Sequence, residues 1–116
     1  MIKIKRVYDK PDNEDGFRVL VDRLWPRGLT KEKAHVDLWM KEIAPSDELR
    51  KWFHHEDPNW SEFVKKYKAE LAKKKDLLRE LRSMHAEHKT ISLLYGSKDE
   101  TQNQAVVLAQ VLRSSK

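Results

Sequence analysis

The sequence predicts a small α/β domain: an open, mostly parallel sheet of three or four strands, flanked by helices in a three-layer-like arrangement. Two apolar runs, at residues 17–24 and 90–95, are continuous enough for strands covered on both faces. Segments with helical periodicity separate the strands, which favours parallel pairing through crossover connections. The chain has 116 residues, and we expect residues 1–116 to form one domain.

The first part of the chain predicts two strands joined by a polar loop. Apolar residues alternate with basic ones over residues 2–8, which is typical of a strand. A loop rich in Pro, Asn, Asp and Gly follows, and then the second strand at residues 17–24. Pro26 ends this strand because proline donates no hydrogen bond and keeps Trp25 extended. Gly28 permits a turn that a side chain would obstruct.

Residues 30–55 predict a short helical turn, an ambiguous segment and a helix. Thr30 is a candidate cap for a turn that reaches Lys33. Residues 36–40 alternate apolar and polar side chains, so strand and short helix both stay open, with an extended form favoured. Ser46 is the expected N-cap of a helix that ends near residues 54–55, because acidic residues fill the first turn after it.

The remainder predicts further helices around one buried strand. Asp57 and Pro58 are the expected start of a helix, which carries an apolar stripe of Trp60, Phe63, Val64, Tyr67 and Leu71. A second apolar stripe follows at residues 77–84. After the strand at residues 90–95, Asp99 with Gln102 resembles a capping box that opens the last helix.

Composition excludes several classes of chemistry. The chain has no cysteine, which rules out disulfides, thiolate catalysis and cysteine-ligated zinc. It has 24 basic and 19 acidic side chains, a formal net charge of +5 that favours anionic partners. No apolar run approaches the ~20 residues of a membrane helix, and the charged first strand is unlike a signal peptide. We therefore expect a cytoplasmic protein without membrane association.

Metal binding is not favoured, and no pattern names a cofactor. His54 and His55 are adjacent, and adjacent side chains on a helix point about 100° apart, so they seldom chelate one ion. His85 and His88 have helical spacing but lie near the end of a helix.

The strongest functional signal is the charged sequence that follows each buried strand. Residues 22–28 follow the first of these strands and residues 95–99 follow the other. Ligands of open α/β sheets bind beyond the carboxyl ends of the strands. If the two strands are neighbours, both loops lie on one rim and form a single site.

Three basic residues in these loops are candidates for an anion clamp: Arg23, Arg27 and Lys98. Arginine has a planar fork that suits phosphate or carboxylate, and lysine adds a point charge. We therefore expect a small phosphate- or carboxylate-bearing ligand, for which a nucleotide-like molecule stays open. The alternative is structural, with Arg23 paired to Asp22 or Asp37 and Arg27 solvated. The loops lack the glycine pattern of a P-loop, so a nucleoside triphosphate is not specifically indicated.

Four more residues are candidates around the proposed anion. Trp25 and Tyr95 are expected to line the pocket, where an aromatic side chain can stack or donate a hydrogen bond. Asp22 and His54 are candidates for proton transfer if the protein is an enzyme. The structural alternatives are an aspartate that orients Arg23, a rim tyrosine with its ring in the core, and a histidine favoured by the helix C-terminus.

A binding or regulatory module is the alternative from a different functional class. The helical segment at residues 60–75 is rich in lysine, and it could contact nucleic acid or a protein partner. The lysines are most simply a solvated helix face, because no exposed aromatic residues are interleaved with them. Nucleic acid is therefore possible but not favoured.

Several motifs together resemble a known bacterial family, the YeaO-like proteins of domain of unknown function 488. The motifs lie at residues 5–9, 18–28, 41–46, 49–54 and 93–99, with Asn103. The resemblance covers nearly the whole chain and implies a small α/β domain, but it brings no established activity. Broader relatives are similar in having a cysteine at the end of a late strand, where this chain has Tyr95-Gly96-Ser97-Lys98-Asp99. Thiol chemistry therefore does not transfer to this sequence.

Overall fold

The computed structural model describes residues 1–55 and 59–114, and for His54 and His55 it describes the backbone alone. The strands are β1 Ile2–Arg6, β2 Phe17–Leu20, β3 Leu38–Trp39 and β4 Ile91–Tyr95. The helices are α1 Lys31–Ala34, α2 Asp47–His55, α3 Trp60–Ala72, α4 Lys75–His88 and α5 Gln104–Ser114. Short 3-10 turns at Asn13–Asp15 and Lys41–Ile43 complete the described elements.

The four strands form one parallel sheet in the order β1-β4-β2-β3, which confirms the predicted α/β class. β4 lies between β1 and β2, and all of its residues are buried, as its uninterrupted apolar sequence predicts. Val19 pairs with Leu93 and Leu20 with Leu94, so the two most apolar strands are neighbours. Their carboxyl ends therefore meet at the same edge of the sheet.

Different elements of the chain pack on the two faces of the sheet. Val19, Leu93 and the residues in register with them pack in the main core with apolar residues of α2, α3, α4 and α5. On the opposite face, Leu20 and Leu94 pack with α1 and with Trp25 and Trp39 in a smaller cluster. The helical layer is therefore thick on one face, whereas a short helix and loop cover the other.

The strands are shorter than predicted. β1 ends at residue 6 and β2 at residue 20, although single hydrogen bonds continue the ladder from Val7 N–H to the Tyr95 carbonyl and from Val21 N–H to the Leu94 carbonyl. Beyond Val21 the chain leaves the sheet because its polar groups find partners in other loops. Within residues 36–40 the extended form is observed, but only Leu38–Trp39 is strand.

Side-chain caps explain where most helices begin. Thr30 accepts a hydrogen bond from Lys33 N–H, and the Ser46 hydroxyl accepts one from Leu49 N–H at 3.1 Å, as predicted. α3 begins at Trp60, with the Asn59 side chain accepting from Glu62 N–H. The predicted start at Asp57 and Pro58 lies outside the described residues.

The last helix begins later than predicted. Asp99 accepts hydrogen bonds from Thr101 N–H and Gln102 N–H, but these bonds close a turn that stops before the helix. α5 begins at Gln104, and the Asn103 side chain caps it by accepting from Val106 N–H at 3.1 Å. The prediction of Asp99 as the helix cap was wrong. Asp99 closes a separate turn, and the helix begins only after Asn103, which provides its own cap.

Candidate functional site

The charged loops after β2 and β4 meet through the side chain of Asp22. One carboxylate oxygen accepts the Gly96 N–H at 2.8 Å, and the other accepts the side-chain amide of Gln104 at the start of α5. The main-chain carbonyl of Asp22 accepts the indole N–H of Trp39 at 2.7 Å. Asp22 therefore joins four segments of the chain at the carboxyl edge of the sheet.

Burial changes the acidity of this carboxyl group. Loss of solvent raises the pKa of Asp22 from 3.8 to about 6, although the hydrogen bonds from Gly96 and Gln104 act in the opposite direction. The carboxyl group therefore titrates close to neutral pH.

The loop after β4 is also held from β1. The Arg6 guanidinium donates to the Ser97 carbonyl at 2.9 Å and to the Gly96 carbonyl at 3.4 Å. Gly96 permits the close approach to Asp22, because a Cβ at this position would lie 2.9 Å from its carboxylate oxygen. The backbone of residues 96–97 is thereby fixed, whereas Lys98 is exposed.

Arg23 is held by backbone carbonyls instead of a carboxylate. Its guanidinium donates to the Pro45 carbonyl at 3.1 Å and to the Ala44 carbonyl at 3.2 Å. Within residues 1–55 and 59–114 no acidic side chain forms an ion pair with it, and Asp37 instead accepts the main-chain N–H of Arg18. The structural alternative in which Arg23 pairs with Asp22 or Asp37 is therefore not what the fold adopts.

A cavity of about 370 Å³ lies at this edge of the sheet, and we call it the rim cavity. It is lined by residues 22–24, 44–45, 96–98 and 102–104 together with Arg50, Phe53 and Phe63. Its charged groups are three cations, Arg23, Arg50 and Lys98, and one carboxylate, Asp22. Most of the cavity surface is apolar, although the polar side chains of Ser97, Gln102, Asn103 and Gln104 also line it. The cavity can thus hold an anion together with an apolar group.

The partners of the cations leave much of their charge unneutralised. Arg50 contacts Asp47 at 3.5 Å, and that aspartate side chain is 61% exposed, so the pair is weak. The Nε of Arg50 is buried and has no hydrogen-bond partner among the described residues. Lys98 forms no ion pair in the same part of the chain.

The wall behind Arg23 is built by α3 and the segment after it. The Tyr67 hydroxyl, fully buried, donates to the Ile43 carbonyl at 2.7 Å. Lys74 donates to the Ala44 carbonyl at 3.0 Å, and burial lowers its pKa despite the nearby carboxylate of Glu70. Residues 43–45 are thus held by Tyr67, Lys74 and Arg23.

Three other predicted site residues, Trp25, Arg27 and Tyr95, do not line the rim cavity. Arg27 is exposed, and its carbonyl accepts the Tyr8 hydroxyl at 2.9 Å. Trp25 packs edge-to-face on Trp39 on the opposite face of the sheet and donates to the Leu29 carbonyl. Tyr95 is buried in the main core, where burial raises its pKa. The side chain of His54 lies outside the described residues.

Sequence reasoning missed Arg50, Gln104 and the two phenylalanines. Phe53 and Phe63 occupy apolar helical faces, which predicts core packing, and an edge of that core forms the cavity wall. Arg50 lies in the family motif at residues 49–54, but that motif assigns it no role, and Gln104 has no local signal. Only the packing of α2 and α5 against the sheet brings these two residues to the rim. The lysines at 65, 66, 68, 73 and 75 are exposed on α3, α4 and the turn between them, and none lines the rim cavity.

The described part of the chain contains neither a cluster of metal-ligating residues nor a helix that could span a membrane. Its histidine and acidic residues include no group of three or more that could hold a metal ion. No described helix has both the length and the apolar character needed to cross a membrane.

The fold and cavity define a small α/β domain with a cation-lined pocket at the carboxyl edge of its parallel sheet. The chain belongs to the family described as the inactive DUF488-N3 subclade, whose sequence model matches residues 1–115. It is 49% identical over 113 residues to the uncharacterised protein YeaO of Escherichia coli, with 97% of each chain covered. It is 39% identical over 111 residues to uncharacterised proteins of Mycobacterium bovis and Mycobacterium tuberculosis, with 96% of this chain and 92% of theirs covered. The resemblance to the YeaO-like family is therefore confirmed, and no solved structure gives a significant match.

Proposed function

We propose that this domain binds a small anionic molecule in the rim cavity and holds it without chemical turnover. The charge of the cavity carries the proposal, because three cations, Arg23, Arg50 and Lys98, line it together with a single carboxylate, that of Asp22. Charge-assisted hydrogen bonds from guanidinium groups to phosphate or carboxylate are about twice as strong as neutral ones. An anionic ligand would supply the negatively charged partner that Arg23 and Lys98 lack within the described structure.

A binding role accounts for Asp22 better than a catalytic role. Both of its carboxylate oxygens already accept hydrogen bonds, from Gly96 and from Gln104. Its place is therefore that of a positioning residue, which holds the two loops at the spacing that the cavity requires. The description of the family as inactive supports the same conclusion.

Proton transfer by Asp22 is the second candidate, favoured by its pKa of about 6. It would require the reacting proton to reach a lone pair of the carboxylate that Gly96 N–H and Gln104 leave open. The two candidate functions predict different results for the variant Asp22→Asn, in which the side chain keeps its size. Ligand binding without turnover survives in this variant, whereas any chemical conversion that uses Asp22 is lost.

The binding proposal is tested with inorganic phosphate as the probe, titrated at constant ionic strength and followed by ¹H–¹⁵N NMR. We expect the largest shifts in the amides of residues 22–24 and 96–98. Lys98→Gln is the first variant because the exposed lysine has no ion-pair role in the described fold, and it should weaken binding about tenfold. Arg23→Gln should weaken it at least as much.

Lys51→Gln is the matched control, since Lys51 follows Arg50 on α2 and is exposed outside the cavity. It should leave phosphate binding unchanged. If Lys51→Gln and Lys98→Gln weaken binding equally, the attraction is a diffuse effect of net charge and the proposal is wrong.

The lysines of α3 and α4 define the competing nucleic-acid hypothesis. For duplex DNA, the logarithm of the binding constant would fall linearly with the logarithm of the salt concentration. The slope would be about −0.9 for each phosphate that the protein neutralises. Charge reversal at Lys65 and Lys68 would remove such binding and leave the phosphate titration of the rim cavity intact. Loss of both together would contradict the assignment of anion binding to the rim.

A further inference from the structure

The cation-lined wall is only part of the rim cavity. Phe53 and Phe63 line it together with Leu24, Ala44 and Pro45, so an apolar surface adjoins the three cations. Arg50 and Phe53 are three positions apart on α2, the spacing at which helical side chains lie side by side. A ligand that contacts Arg50 is therefore next to an aromatic ring.

The aromatic part of the wall is rigidly supported. The ring centroids of Phe53 and Phe63 are 4.4 Å apart, and Phe63 stacks on Trp60 at 5.4 Å with an interplanar angle of 16°. Phe63 also contacts the buried ring of Tyr67 at 5.8 Å. A preformed aromatic surface of this kind suits a flat apolar group, because little side-chain freedom is lost on binding.

The size of the cavity points in the same direction. About 370 Å³ falls in the range of small-molecule pockets, which begins at about 300 Å³. A bare phosphate or sulfate ion would occupy a small part of this volume and would leave the apolar wall in contact with water. Filling the cavity requires an organic group attached to the anion.

From these features we propose that the ligand of the rim cavity is an aromatic ring joined to one phosphate or carboxylate group. The inference rests on the proposed anion-binding function and adds the chemical class of the ligand. Arg23, Arg50 and Lys98 bind the anionic group, and the ring lies against Phe53 and Phe63. The carbonyls of residues 44 and 45 already accept from Arg23, so this arginine is oriented before the ligand arrives.

The test compares two probes that share one head group, phenyl phosphate and methyl phosphate, by calorimetric or NMR titration of the full chain at constant ionic strength. Burial of the ring should make phenyl phosphate bind at least about tenfold more tightly than methyl phosphate. Benzoate and acetate repeat the comparison with a carboxylate head group. The preferred head group is that of the aromatic probe, phenyl phosphate or benzoate, that binds more tightly.

Phe53→Leu should reduce the preference for phenyl over methyl phosphate several-fold, measured as the ratio of the two affinities in the variant and in the unchanged chain. Trp52→Leu is the matched control, because Trp52 is the preceding residue of α2 and does not line the rim cavity. It should leave the preference intact. Far-ultraviolet circular dichroism and thermal midpoints establish that both variants are folded.

Each failure has its own meaning. Equal affinity for phenyl and methyl phosphate, with both weakened by Lys98→Gln, would overturn the aromatic ligand and keep the anion site. A preference that Phe53→Leu and Trp52→Leu alter equally would also overturn it. Absence of binding by all four probes at tens of millimolar would remove the proposed function as well.

Discussion

The carboxylate of Asp22 accepts the main-chain N–H of Gly96 at 2.8 Å across 74 residues of sequence. This bond joins the segment that follows β2 to the segment that follows β4, at the edge of the sheet where the rim cavity lies. Since the second oxygen of Asp22 accepts from Gln104, one side chain ties the loop after β2 to the loop after β4 and to α5. The geometry of the rim cavity therefore depends on a residue whose charge changes near neutral pH.

The first prediction concerns the pH dependence of folding stability. The pKa of Asp22 is about 6 in the folded chain and is taken as 3.8 when unfolded. Between these values the folded state binds a proton that the unfolded state does not, so stability falls as pH rises through this window. The loss approaches at most about 3 kcal/mol above pH 6, from 1.36 kcal/mol for each pKa unit.

Asp22→Asn should remove this component, because its amide can pair with Gly96 and with a rotated Gln104 side chain at every pH. Urea unfolding of both proteins between pH 4 and 8 measures the difference in the free energy of unfolding. A difference that stays constant across this range would show that the Asp22 carboxyl group does not titrate as described.

The second prediction compares two glycines with positive φ. Gly16 has φ +67°, and a Cβ there would lie 2.2 Å from the Thr90 carbonyl oxygen; Gly28 has φ +82° and open space around it. Gly28→Ala should cost only the conformational strain, about 1 kcal/mol. Gly16→Ala must also displace the backbone that precedes β4 and should cost more than about 4 kcal/mol. Chemical denaturation measures both, and equal costs would contradict the close approach of residues 16 and 90.

The third prediction concerns the buried ion pair between Arg18 and Asp15, whose side chains are each 5% exposed. Arg18 also donates to the carbonyls of His35 and Ala34, both at 2.9 Å. Arg18→Met removes these bonds and leaves Asp15 with Lys5 as its remaining cation, so we expect a loss of about 3 kcal/mol.

Arg79→Met is the control for this loss. Arg79 and Asp76 are 78% and 93% exposed, and breaking their contact should change stability by less than about 1 kcal/mol. Thermal midpoints of the two variants provide the comparison. Similar midpoints would indicate that the Arg18 network adds little to the fold.

The fourth prediction tests the hydrogen bond that supports the cavity wall. Tyr67→Phe leaves the Ile43 carbonyl without its donor in the core and should cost about 1–2 kcal/mol. Tyr8→Phe removes a hydrogen bond of similar length, from the Tyr8 hydroxyl to the Arg27 carbonyl. Because Tyr8 is 41% exposed, water can donate to that carbonyl in place of the lost hydroxyl. The exposed variant should therefore be nearly neutral. Equal changes in the denaturation midpoint would mean that burial does not set the value of these bonds.

The α/β class, most of the element order and the caps at Thr30 and Ser46 could be read from the sequence because they depend on local patterns. Strand runs, helical stripes and capping residues act over a few positions. The family motifs at residues 18–28 and 93–99 also marked the two loops that meet at the rim. Predicted boundaries failed where a long-range partner intervened, as at Asp22, whose side chain turns toward Gly96.

The selection of residues around the cavity was decided by tertiary structure alone. Arg27 and Trp25 share a charged segment with Arg23, yet the chain turns at Pro26 and Gly28 and leaves them away from the cavity. Arg50, Phe53 and Gln104 enter it because α2 and α5 pack on one face of the sheet. Sequence determined which segments are strands and helices, since that choice follows local periodicity. The packing of distant segments decides which side chains share a site. Local periodicity does not determine that packing, because it reflects only residues a few positions apart.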